Sequence, residues 1–296
     1  MRAMADGPPA LSRAERLSLA VTRFVNERPR AKHAQHLFLS RFNQSWVKYA
    51  IGRRIYVDNI EWLLDRPSDR GLLLCMNHRS YFDAYITMFS LYELGAMWAD
   101  KIYFPVRSNF FYEHPVGFAV NLLIGGGALY PPIFRDNSKA ELNRDALERM
   151  VRFLDQPGAL VGMHPEGTRG KGPDPYQLLP AQPGVGQVVL QARPLVVPAF
   201  VNGLSNSYAR DIADTYRRDI RRERPIIIAF GDAVDYSDLA QQKPRAALYK
   251  RTADRIRDAI IERGAREREI RDACTRGEVG DDDPHWVMNH ALGRWR

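Results

Sequence analysis

The segment Asn77-His78-Arg79-Ser80-Tyr81-Phe82-Asp83 places a carboxylate five residues after an imidazole. An imidazole held by a carboxylate is an oriented general base. Residues five apart do not share a face of a straight helix, so such a pair works only across a turn into one. The flanking residues predict that turn. The apolar run 71–76 reads as a buried strand and 81–94 as a helix, with Ser80 and Asp83 in a capping pattern at its start. His78 then sits at the carboxyl end of a strand, where open α/β sheets bind ligands, and before a helix N-terminus that favours anions. On these residues alone, His78 as a plain polar turn residue fits equally well.

A second segment, Met163-His164-Pro165-Glu166-Gly167-Thr168-Arg169-Gly170-Lys171, also follows a strand-like run. It offers backbone N–H groups, a carboxylate and a guanidinium, and arginine grips phosphate with two hydrogen bonds in fixed geometry. It is not a P-loop, because Gly167 is followed by threonine rather than lysine. Taken alone it also fits a solvated loop.

Together the two segments resemble the glycerophospholipid acyltransferase family, most closely its bacterial 1-acylglycerol-3-phosphate acyltransferases. That family has four sequence blocks. The first, NHxxxxD, is matched by Asn77, His78 and Asp83. The third, Phe-Pro-Glu-Gly-Thr-Arg-Ser, is matched from Pro165 to Arg169, with His164 in place of Phe and Gly170 in place of Ser. The fourth, a Val-Pro within a strand, is matched by Val197-Pro198. The second, a glycine followed by Phe and Arg, is read as Gly127 with Phe134 and Arg135, although the spacing is loose and two prolines intrude. The resemblance covers residues 65–235.

What the resemblance implies is direct acyl transfer from acyl-CoA or acyl-carrier protein to an acceptor hydroxyl, with no cofactor and no metal. His78 is the general base and Asp83 its orienter. Arg135, Glu166, Gly167, Thr168 and Arg169 hold the phosphate and glycerol groups of a lysophospholipid or glycerol-phosphate-type acceptor. Asn77, Ser80 and Pro198 support them. Glu166 cannot itself attract phosphate, so it positions Arg169 or hydrogen-bonds a hydroxyl. The odd second block leaves open a lyso-aminolipid or glycolipid acceptor. His164 adds a second titratable group with no assigned role.

Around these blocks, apolar strand-like runs at 102–106, 159–163, 195–201 and 226–230 alternate with helical patterns at 110–124, 138–155 and 245–263, and 130–134 reads as an edge strand. The alternation predicts an α/β fold: a central, mostly parallel or mixed sheet flanked by helices. With 296 residues, 45% of them hydrophobic, the chain is globular rather than disordered. Two cysteines make no zinc-ribbon pattern and suit a reducing compartment.

The charge is uneven. Residues 1–56 hold eleven Arg/Lys and three acids, and so carry the entire formal excess of +8. Residues 1–10 read as frayed. The Ser12-x-x-Glu15 capping box opens a helix with Leu17, Ala20, Val21 and Phe24 on one face, and Pro29 ends it. A second helix, 32–51, carries Leu39, Phe42, Trp46 and Ala50. Two basic amphipathic helices predict an arm, 1–56, that lies through residues 12–54 on an anionic membrane surface. The acyltransferase domain is expected at 57–264, and 265–296 as a charged, irregular tail. No apolar leader opens the chain. The uncharged run 115–134 is rejected as a membrane span because of its prolines and Gly125-Gly126-Gly127, and read as a buried segment with a turn. Within it, 118–124 is a candidate wall for the acyl chain. A cytoplasmic enzyme peripheral on the inner face of the membrane is the resulting expectation.

Two rivals remain. His78, Asp83, His114 and His164 around zinc or iron would make a metal-dependent hydrolase, but no HExxH or HxH spacing supports it. The basic arm and residues 217–224 suggest nucleic acid, but Asp219 and Glu223 mark that stretch as a solvated helix face and no nucleic-acid-binding signature is present, so no nucleic-acid partner is expected.

Overall fold

The structure is a computed structural model and describes residues 11–64 and 69–290; the first ten residues and the last six of the expected tail lie outside these. The strands are β1 (Ile55–Asp58), β2 (Leu72–Met76), β3 (Lys101–Tyr103), β4 (Val106–Arg107), β5 (Pro132–Ile133), β6 (Ala159–Met163), β7 (Leu195–Asn202) and β8 (Ile226–Phe230). Among the described residues, the helices of eight residues or more are α1 (Arg13–Glu27), α2 (Pro29–Leu37), α3 (Gln44–Ile51), α4 (Asp83–Glu93), α5 (Pro115–Leu123), α6 (Ala140–Leu154), α7 (Pro183–Ala192), α8 (Tyr208–Thr215) and α9 (Ala246–Arg276).

Six strands form one sheet in the order β1-β8-β7-β2-β6-β3. All neighbours are parallel except β7 and β8, so the expected mostly parallel, mixed sheet is present. Its strands are almost wholly apolar because both faces are covered, with Asp58, Lys101 and Asn202 only at strand ends. Along β2, Leu72, Leu74 and Met76 join the core that contains Ile86 and Phe89 of α4. Leu73 and Cys75 join the opposite core with Met150 of α6, Val185 of α7 and Ile256 of α9.

Several boundaries differ from the sequence reading, each for a local reason. The expected strand 102–106 divides at Phe104-Pro105. Proline has no N–H to continue a ladder, and β4 leaves to pair with β5 in a separate two-stranded ribbon. The expected edge strand 130–134 contributes only β5 to that ribbon. The expected helix 110–124 breaks before Pro115, which starts α5, while His114 accepts the Val116 N–H through Nδ1. The helix expected from residue 138 starts two residues later: the Ser138 N–H donates to Asp136 Oδ1, and α6 begins at Ala140. The second arm helix begins at Pro29 and passes through a π-helical turn, Phe38–Asn43, into α3. The boundary expected at residue 56 falls inside β1, whose parallel pairing with β8 makes it part of the sheet. The tail expected to be irregular from residue 265 instead continues α9 to Arg276. Gly264 allows this, since a Cβ there would meet the Phe200 ring at 2.9 Å.

The arm differs most. On α1 the stripe Ser18, Thr22 and Asn26 is buried, while Leu17 and Phe24 are 63% and 61% exposed. The inward polar stripe has partners. Asn26 donates to Gly127 O at 2.8 Å and accepts from buried Lys32 Nζ at 2.8 Å; Lys32 also donates to Ile102 O, and Gln35 donates to Gly126 O. Gly126 and Gly127 adopt positive φ in the turn after α5. Their carbonyls need donors once covered, and the polar face of the arm supplies them. We expect Asn26→Leu to destabilise the fold even though it enriches the interior in hydrocarbon. It strands Gly127 O, at about 1–3 kcal/mol for an unpaired buried group, and takes from buried Lys32 one of its acceptors, leaving Ile102 O; thermal unfolding should show a midpoint lower by several degrees.

Candidate active site

β2 and β6 are parallel neighbours in the sheet, so the loops that follow them leave from the same end. That adjacency brings residues 77–83 against residues 164–170. Asn77 extends the pairing of β2 with β7: its side-chain amide donates to Val201 O and its Oδ1 accepts the Val201 N–H. Pro198 lies in β7 opposite Cys75, two strands from β6, and does not reach the site.

Past Asn77 the chain turns, and α4 begins at Asp83 rather than at the expected Tyr81. The Asp83 carboxylate reaches back into the turn. Its Oδ2 accepts the backbone N–H groups of Arg79 and Ser80, each at 2.8 Å, and lies 3.2 Å from His78 Nδ1. Ser80 Oγ accepts the Phe82 N–H and donates to Ser205 O, tying the turn to the loop after β7. With a carboxylate on Nδ1, neutral His78 carries its proton there and leaves Nε2 as the base.

The second loop turns at Gly167, whose φ of +64° suits glycine. Glu166 was expected on the acceptor, and the structure gives it other partners. It is buried, its Oε1 accepts the His78 N–H at 2.9 Å, and its Oε2 accepts the Leu179 N–H at 2.7 Å. The His78 carbonyl in turn accepts the Gly170 N–H at 2.8 Å. Arg169 stacks 3.5 Å over the Tyr81 ring and donates to Asn206 at 2.6 Å, so it is held without Glu166. His164 lies flat against His78, with ring centroids 4.0 Å apart and planes 12° apart.

His78, Glu166, Gly167, Thr168, Arg169 and Arg135 all line one cavity of about 720 Å³. Its walls include Ala84, Tyr85, Phe104, Leu129, Ile133, Leu147, Met150 and Met163; the segment 118–124, expected there, is not among them. Two further cations line it that the sequence reading did not place. Arg107, from the β4 ribbon, donates to Gly167 O at 2.6 Å, and Lys171 stands two residues past the matched block. The position of Arg107 follows from the chain leaving the main sheet at Pro105, which no motif announces.

Desolvation dominates the electrostatics. Burial, reinforced by the nearby Arg169 guanidinium, pulls the His78 pKa down to about 3, and burial pulls that of His164 down to about 3. Burial raises the Asp83 carboxyl to about 6 against the two backbone N–H groups that favour its charge. At neutral pH the site therefore holds a neutral imidazole beside a mostly ionised carboxylate, the protonation state a general base needs. The grouping expected for a metal hydrolase does not assemble. His114 caps α5 by its N–H acceptor role, and no three His, Cys, Asp or Glu side chains among the described residues are arranged to hold a metal ion.

The family signature described as Acyltransferase matches residues 54–202, which contain both segments of the site. No curated protein matches the chain. Among solved structures it is similar to the 1-acyl-sn-glycerophosphate acyltransferase PlsC of Thermotoga maritima, at 16% identity and a TM-score of 0.48, over 86% of this chain and 87% of that one.

The pH profile tests the electrostatic arrangement. Lowering pH through about 6 protonates Asp83 and removes the charge that orients the imidazole, so kcat/KM should be flat near neutrality and fall about tenfold per unit on the acid side. Asp83→Asn, with no proton to gain there, should lose that limb and be slow at every pH.

Proposed function

The chain belongs to the acyltransferase family, and we propose that it moves a fatty acyl group from a thioester donor to the hydroxyl of a lysophospholipid or glycerol-phosphate-type acceptor. The observation that carries this reading is the His78–Asp83 pair opening on a cavity with apolar walls and cationic side chains from Arg107, Arg135, Arg169 and Lys171. An acyl chain suits the walls, and a phosphate suits the guanidinium groups.

His78 Nε2 takes the proton of the acceptor hydroxyl, and Asp83 holds the resulting imidazolium. The oxygen attacks the thioester carbonyl, and the tetrahedral adduct collapses with breakage of the C–S bond. The thiolate takes its proton from His78, so ester and free thiol are the products. A thiol with a pKa of about 8.5 leaves without a strong general acid. Glu166 serves this chemistry indirectly by holding the main chain of His78. The donor is acyl-CoA or acyl-carrier protein, and neither needs a cofactor.

The decisive assay is thiol release from an acyl-CoA panel, with and without lysophosphatidate. Acceptor-dependent release by the wild type, reduced by 10²–10⁴-fold in His78→Ala, is the expected result, in the range of a lost general base. Release independent of acceptor and undiminished in His78→Ala overturns the reading. Release with a lyso-aminolipid or glycolipid but not lysophosphatidate moves the acceptor class and keeps the chemistry.

The acylated product is a lipid, and the arm is suited to meet it at a membrane. No helix among the described residues is long and apolar enough to cross one. The outward apolar side chains of the N-terminal helices, with Leu17, Phe24, Phe42 and Tyr49 all more than half exposed, lie among the basic residues that carry the excess charge. A basic, outward-apolar face favours an anionic bilayer surface, with about 1 kcal/mol per nearby Lys/Arg. The protein should co-sediment with vesicles containing phosphatidylglycerol more than with pure phosphatidylcholine. Leu17→Glu with Phe24→Glu should release it while leaving the fold intact, since both side chains face solvent. Undiminished sedimentation of that variant would exclude the arm as the docking surface.

A further inference from the structure

Resting on that reading of His78 as the base, we propose that His164 is its positioning residue, an imidazole platform that fixes the plane of His78 and so keeps its Nδ1–H on Asp83. The sequence blocks place Phe at this position in related chains, and the geometry shows what the histidine adds.

Three restraints act on His78. Its main chain is held at both ends, with the N–H on Glu166 and the carbonyl on Gly170. In the ring plane, Nδ1 meets Asp83 at 3.2 Å, a long contact for a charge-assisted hydrogen bond. One long bond at the ring edge leaves the imidazole free to tilt about it. The flat face is covered by His164 at 4.0 Å and 12°, which removes that tilt. A misplacement of about 1 Å at a reacting group lowers rate by about 10²-fold, so the restraint matters to the reaction.

The platform is itself anchored. His164 Nδ1 lies 3.1 Å from Met76 O and 2.9 Å from Asn77 O. Both are carbonyl acceptors, so Nδ1 carries the proton and donates to them. His164 is thereby locked to the last residue of β2 and to the first residue of the His78 turn. A phenylalanine there offers the same flat face without that anchor.

The test uses the full-length protein. His164→Ala should lower kcat about 10²-fold with KM for the acyl donor little changed, and His164→Phe should recover most of the loss by restoring the stack. Placed on His78→Ala, His164→Ala should cause no further loss, because it acts through the imidazole already removed. An activity-free readout accompanies these: ¹⁵N NMR of the histidine side chains should show His78 as one Nδ1–H tautomer in the wild type and His164→Phe, and an averaged mixture in His164→Ala. The proposal is overturned if His164→Ala keeps the wild-type kcat and tautomer. It is equally overturned if His164→Phe is as slow as His164→Ala, which would give the histidine nitrogen a chemistry of its own. Normal tautomer changes with an acyl transfer that survives His78→Ala would sink the general-base reading and leave the positioning intact.

Discussion

The buried carboxylate of Glu166 is the constraint on which the site depends. Burial raises its pKa, and its ionised form is favoured by the N–H groups of His78 and Leu179. Loss of either N–H removes one of the two backbone donors that offset its burial, at about 1–3 kcal/mol or more for a charged acceptor. Glu166 is one of the side chains that fasten the two site loops together, beside His164 on the carbonyls of Met76 and Asn77. The motif glutamate thus acts on the protein's own backbone.

That fastening succeeds because the sheet has already aligned the parts. β2 lies between β7 and β6, all three parallel, so the blocks that follow β2 and β6 emerge together and Asn77 can bond across to β7. The antiparallel junction lies on the far side, between β7 and β8, and does not disturb this edge. Within the site the same burial pulls in opposite senses on an acid and a base. It favours neutral His78 and raises Asp83, and backbone N–H groups offset part of the cost of keeping Asp83 charged. A base that is uncharged, oriented and open to a cavity is the outcome of those competing terms.

The N-terminal helices show the same logic at the surface. α1 turns a polar stripe inward because the glycine turn after α5 presents carbonyls that need donors, and hydrogen bonds from Asn26 and Gln35 satisfy them. Its apolar residues are then left facing outward. The arrangement joins arm to body through a polar interface and leaves hydrocarbon for another medium. Farther along, Arg54 is fully buried and donates to the carbonyls of Gly203, Asp211 and Arg224, so the end of the arm is part of the domain's own core.

The layered α/β class and most strands were legible in the sequence, because strand burial leaves unbroken apolar runs and strands alternating with helical patterns mark a layered fold. The pairing of His78 with Asp83 was legible as a possibility, because it spans only five residues, but its link to Arg169 came from the resemblance of two distant segments to one family and not from local pattern. What the sequence could not determine were facts set by distant contacts. β1 is too short and too close to Arg53-Arg54 to stand out, and becomes a strand only beside β8. α9 passes through Gly264 because Phe200 packs there, a reason invisible in the helix itself. Arg107 reaches the cavity only once Pro105 has diverted the chain into the small ribbon. Which face of α1 is buried was decided against its hydrophobic pattern, by carbonyls a hundred residues away. Local pattern records what a segment can bury; the tertiary structure alone settles which unsatisfied groups elsewhere it must cover.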